Sequence, residues 1–158
     1  RIRLNEAVGT DWERLQLLIS GGIAAAADRN LRAALDLVRG APLADAAPGQ
    51  WHWAEEWRVE MMQTVRDIGI ELARRAIDSG DLDTARLALA RALVCCPEDE
   101  ELLVCRIRLA DLAGERSEVE RLVYLLSRRA RRLGVDLSEE TVVLLQEVME
   151  GRPRARVV

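Results

Sequence analysis

Apolar residues return every three or four positions along most of this chain, and no stretch alternates long enough to make a strand. The period predicts helices throughout. Thr10 is placed to cap the first, and Glu13 three residues on completes a capping box. Trp12, Leu15, Ile19 and Ile23 form its apolar stripe, which frays over Ala24–Ala27, with Gly21-Gly22 as a candidate for its true end. Asp28 to Arg39 reads as a second helix, with Leu31, Leu35 and Val38 on one face and Gly40 as its stop. Ala41 to Gln50 holds two prolines and a glycine and reads as irregular. Trp51, Trp53 and Trp57 then open a long helix running to about Ser79, with Gly69 where another helix packs closely. Further helices are expected over Asp81–Cys96, Glu98–Ala113 and Glu115–Leu133. A last one starts at Leu137-Ser138, capped by Ser138, and runs through Val142, Leu145 and Val148.

The centre of the chain is more specific. Gly80 can end a helix in the left-handed conformation, and Asp81 can cap the next. Leu82, Ala85, Leu89, Ala92 and Leu93 share one face, where small alanines let a neighbouring helix approach, and Pro97 stops the helix. Gly80, Ala85, Ala92 and Pro97 fall at the offsets of the second half of a tetratricopeptide repeat. Gly114 lies one such period, about 34 residues, after Gly80, with Val119 and Leu126 where the alanines stood. The expected fold is all-α: about seven helices in a right-handed stack of tetratricopeptide-like hairpins. Residues 10–150 form its domain, residues 1–9 a lead-in and residues 151–158 a tail. A chain opening at Arg1 rather than Met is expected to be a fragment of a longer protein.

Composition narrows the function classes. The 158 residues can bury a real core. All the basic residues are arginine, and the net charge of −4 argues against nucleic-acid binding by bulk electrostatics. Three cysteines, two adjacent (Cys95, Cys96) and one apart (Cys105), make no disulfide framework and read as buried small apolar residues in a reducing, cytoplasmic setting. No apolar run spans a membrane.

Candidate chemistry is sparse. His52, the single histidine, lacks partners at ligand or triad spacing, and no phosphate loop is present. No catalyst, metal or cofactor is therefore expected. Arg128-Arg129-Ala130-Arg131-Arg132 sits in the last turns of a helix, where the dipole favours cations, and has no aromatic interleaving for bases. Trp53 and Trp57, four apart, share a face, so one of them is expected in the core. Trp51 lies off that face, capping the loop below or exposed as a contact aromatic. In a stack of hairpins, the first helix of each hairpin lines a concave groove. Asp67, Ile70, Arg74, Ile77 and Asp78 would face it, followed by Glu101, Val104, Arg108, Asp111 and Leu112. Arg74 and Arg108 would clamp a partner's carboxylate there, or else pair with Asp78 and Asp111 on their own helices.

The stretch Ala34–Ala44, with Arg39-Gly40-Ala41-Pro42-Leu43 at its centre, then Trp53-Ala54-Glu55-Glu56 and Arg58, resembles the bacterial transcriptional activator domain. That is the helical module of actinobacterial antibiotic regulatory proteins. The resemblance runs from about Asp11 to Glu147. It implies tetratricopeptide-like hairpins serving dimerisation and regulation, with a partner that is protein: a second copy, another regulator or RNA polymerase. Relatives in that family carry a winged-helix domain, and this piece holds none, so direct DNA binding by it is not expected. The Val-Arg-Gly and Trp-His-Trp-Ala forms resemble a branch found in peptidoglycan-binding-domain proteins. That branch implies an alternative, an envelope-associated interaction scaffold with no role at promoters.

Overall fold

Helix α1, Asp11–Leu18, starts where its capping box places it. Thr10 Oγ1 accepts from the Glu13 N–H at 3.1 Å, and Glu13 Oε2 accepts from the Thr10 N–H at 2.7 Å. The computed structural model describes residues 9–45 and 51–150; the expected tail, all but Gly9 of the lead-in and residues 46–50 of the irregular stretch lie outside them. Only Leu15 of the first stripe is buried within α1. The helix ends before Ile19 because the chain reverses through Gly22, at φ 92°, into one 3-10 turn over Ile23–Ala25. Glycine tolerates that φ and other residues do not. Helix α2, Asp28–Asp36, stops short of the expected Arg39. Its final N–H groups reach back three residues, Leu37 to Ala34 O at 3.2 Å and Val38 to Leu35 O at 3.1 Å, which tightens and closes the turn before Gly40.

Helix α3, His52–Asp78, is 27 residues long and packs along α4, Leu82–Cys95, more extensively than any other pair of helices. Val65, Ile68, Gly69, Leu72, Ala73 and Ala76 are buried on α3, and Ala85, Ala88, Leu89, Ala92 and Cys95 on α4. Small residues on both sides allow this approach. Helices α5, Glu100–Leu112, and α6, Arg116–Leu133, form the next antiparallel pair, followed by α7, Glu139–Glu150. The described residues are all-α, with seven α-helices packed helix on helix.

The turns after α3 and α5 are built alike. At Gly80, φ 80°, the Asp81 N–H reaches Ala76 O at 2.8 Å; at Gly114, φ 72°, the Glu115 N–H reaches Ala110 O at 2.9 Å. Both satisfy helix-end carbonyls through a left-handed glycine. They differ in the cap that follows: Asp81 accepts from the Thr84 N–H at 2.9 Å, and Glu115 makes no such bond. Where Pro97 follows the end of α4, Arg131 stands 34 positions later, and α6 runs on to Leu133 before Gly134.

Helix α7 turns inward a face that keeps Val148 of the expected stripe, leaves Leu145 half-buried and turns Val142 out. Thr141, Leu144 and Val148 are buried, and Val142 is 41% exposed. Thr141 tolerates burial because its hydroxyl donates to Glu100 Oε1 of α5 at 2.8 Å, while its N–H caps onto Ser138 Oγ at 3.2 Å. The chain divides into two compact units, one running to Asp99 and one starting at Glu100, within the expected 10–150 domain.

Candidate functional site

Three tryptophans open α3, and none lies in the core. Trp51, Trp53 and Trp57 are 43%, 71% and 47% exposed, so the expected core tryptophan is corrected. The cause is register. Counting back from buried Val65 by the helical repeat gives Met61, Arg58 and Ala54, and Ala54 is fully buried. Trp53 and Trp57 each precede an inward position by one residue, about 100° around the helix. Arg58 takes the inward place instead, donating to Leu43 O at 3.1 Å and to Glu55 Oε1 at 3.1 Å. Trp51 and Trp53 stack on each other, ring centroids 5.8 Å apart and planes 18° from parallel. The spacing puts exposed Glu56 and Glu60 on the face of Trp53 and Trp57, so an apolar platform is edged with negative charge.

The expected groove residues are distributed as follows. In the first unit, Asp67 accepts both Nε and an Nη of Arg66, and Ile70 and Ile77 are half-buried. Arg74 holds Glu71 at 2.9 Å and Asp78 at 3.1 Å. In the second, Glu101, Arg108, Asp111 and Leu112 are exposed, and Val104 is buried in the helix packing at 8% exposure. Arg108 makes no ion pair with Asp111; it lines a shallow cleft of about 380 Å³ with Glu139, Glu140 and Glu147 of α7. Arg74 thus takes the same-helix pairing, and Arg108 does not.

Two of the shifted carboxylates, Glu71 and Glu118, sit in ion pairs, while Glu13 and Asp81 are held low by the helix-cap hydrogen bonds to Thr10 and Thr84. Arg74 and then Arg75 hold the Glu71 carboxyl below its ordinary 4.5, and Arg121 with Arg106 does the same for Glu118. A carboxylate depressed in the folded state stabilises it above the unfolded pKa, and that stability is lost as pH falls through the folded value. The urea midpoint should therefore decline below about pH 4.5, and Glu71→Gln or Glu118→Gln should flatten the decline in circular-dichroism titrations. An unchanged acid limb in both variants would assign it elsewhere.

Cys95 and Cys96 are buried and Cys105 is half-buried, and none of the three is in a disulfide. The bond to Cys96 and burial push the Cys95 thiol far up, so it stays protonated. Cys96 Sγ donates to Met62 O at 3.3 Å. Exposed His52 begins α3, and among the described residues no three His, Cys, Asp or Glu side chains gather where a metal ion could bind. Of the basic cluster, Arg131 and Arg132 occupy the last turn of α6, beside its carbonyl end. No described helix is long and apolar enough to cross a membrane.

One feature was not foreseen: a cavity of about 150 Å³ beneath the Arg39–Pro42 stretch, walled by Trp12 and Leu15, by Leu37 to Gly40 and Pro42, and by Met61, Val65 and Cys95. Its walls come from four separate segments, and no local periodicity announces such a space. Comparison with known proteins adds nothing to these observations: no family model matches the chain, and neither a curated protein nor a solved structure does.

Proposed function

We propose that this chain is a non-catalytic, tetratricopeptide-like regulatory module that binds protein, and that it serves a cytoplasmic bacterial transcriptional regulator. The observation that carries the reading is the exposed tryptophan platform at the start of α3. Exposed, mutually stacked indoles edged by Glu56 and Glu60 suit a partner that lays an arginine or lysine over the rings, where the ring face and the carboxylates both attract the cation. The Arg39–Leu43 stretch and the equal turns at Gly80 and Gly114 support the family assignment. The Trp-His-Trp-Ala start of α3 favours the second reading, a scaffold of an envelope-associated protein.

The test is affinity capture of the protein from its own cells, beside a Trp53→Ala variant. Trp53 is 71% exposed, so its truncation should move stability by no more than about 0.5 kcal/mol while removing the partner. Recovery of RNA polymerase, lost in the variant, is the expected result. Envelope proteins without polymerase would install the scaffold reading, and recovery undiminished in Trp53→Ala would remove the platform from the interface.

A further inference from the structure

Two exposed faces of this chain answer each other in spacing and in charge. The first is the platform on α3, where Trp53, Trp57 and Glu60 stand at i, i+4 and i+7 with Glu56 between them, all exposed. The second lies on α6. Tyr124, Arg128 and Arg131 repeat the same i, i+4, i+7 spacing and are likewise exposed, Tyr124 at 64%. Neither face is neutralised from within. Among the described residues no cation pairs with Glu56 or Glu60, and no carboxylate with Arg128 or Arg131. The other arginines of α6 differ: Arg116 is held by Glu120 and Arg121 by Glu118.

The units that carry the two faces are unequal in charge. The first has sixteen acidic side chains against twelve arginines, and the second has eleven of each. The cationic face of one copy is therefore drawn toward the first unit of another. Glu120, one turn before Tyr124 on the same face, is exposed, so α6 lacks the unbroken positive surface that a phosphate backbone selects.

We propose that the tryptophan platform docks onto α6 of a second copy of this chain. Laid side by side in the same direction, the two helices bring Tyr124 to Trp53, Arg128 over Trp57 beside Glu56, and Arg131 to Glu60. The cation then gains both a ring face and a carboxylate. The proposal rests on the reading of the platform as a protein contact and names its occupant.

Sedimentation equilibrium of the purified chain tests it. The expected result is an average mass that climbs above 17.7 kDa with concentration. A dissociation constant on the order of 10 µM suits so small and charged a contact. Glu56→Arg with Glu60→Arg sets arginine against arginine, and Arg128→Glu with Arg131→Glu sets glutamate against glutamate. Each double variant alone should associate at least about tenfold more weakly. Mixed in equal amounts, they place glutamate opposite arginine at both contacts, and association should return to within about threefold of the parent. Trp53→Ala, which alters no charge, should also weaken association, so the test stays decisive if a double variant fails to fold. A parent that is monomeric at every concentration overturns the proposal, as would a mixture no heavier than its separate components. Failure here is distinct from failure of the reading above. A monomeric parent whose Trp53→Ala variant still loses its cellular partner removes the second copy and keeps the platform. A parent that associates through these charges, with cellular capture undiminished in Trp53→Ala, removes the polymerase and keeps the second copy.

Discussion

Arg75→Ala should lower the unfolding free energy by about 2–3 kcal/mol, a larger effect than any other polar truncation in the first unit. The side chain is 21% exposed and donates along its whole guanidinium. It reaches Ala26 O at 2.7 Å, Ala24 O at 2.8 Å and Ile23 O at 3.3 Å, the carbonyls of the 3-10 turn and its exit. It also holds Asp28 at 2.8 Å at the start of α2 and Glu71 at 2.7 Å one turn back on its own helix. Helix α2 has no side-chain cap of its own, because Ala27 stands at its N-cap, so Arg75 ties that helix start to α3 from outside. The exposed carbonyls can turn to water after truncation; the Ala26 carbonyl, on a buried residue, has less freedom to do so.

Arg75→Lys should recover less than half of the loss. An ammonium is a single point of three donors and cannot reach carbonyls and carboxylates on opposite sides as the planar fork does. Urea unfolding followed by circular dichroism measures both variants. A midpoint for Arg75→Ala within error of the parent would mean that the 3-10 turn and α2 hold their place without it.

What the residue order revealed, and what it concealed, follows from the range of the interactions involved. The turns at Gly80 and Gly114 were legible because a left-handed helix end selects a residue type at one position, with partners four to five residues away. The caps at Thr10, Asp81 and Ser138 were legible for the same reason. The facing of Trp53 and Trp57 was not. Two tryptophans four apart look like core, and only the packing of α3 against α4, anchored on Val65, Ile68 and Leu72, sets a register that turns them out. In α7 the inward stripe ends on Val148 as expected but begins at Thr141 in place of Val142, because Glu100, 41 positions earlier, offers that hydroxyl an acceptor. Pro97 announced the end of a helix but not the boundary between units that falls two residues after it. For the candidate sites, the tryptophans were legible as residues, although their exposure was not. The cavity could not be seen at all, since Trp12 and Cys95 meet across 83 positions of sequence.

Positions 92 and 126 should respond to opposite substitutions with the same sign. They stand 34 residues apart, at matching places after the glycine turns, and are buried to 0% and 1% exposure. Yet one is alanine and the other leucine. Ala92 lies on the α4 face packed against α3 and α2, where Ala73, Ala76 and Gly69 on the α3 side are also small. Three additional carbons there must displace a helix or force strained rotamers, so Ala92→Leu should cost about 1–3 kcal/mol. Leu126 is buried on α6, which packs against α5 and α7, so Leu126→Ala should cost about 2–5 kcal/mol by leaving a cavity. Ala92→Gly is the opposite perturbation: it cannot crowd the neighbouring helix, and its cost is that of helix propensity, about 1 kcal/mol, together with the buried methyl, about 0.8 kcal/mol. A urea midpoint for Ala92→Leu equal to or above that of the parent would show that α3 and α4 are not held at the distance their small residues permit. Losses in both swaps would mean that the spacing of each helix pair is set by the side chain at this one repeating position, tight in the first pair and filled in the second.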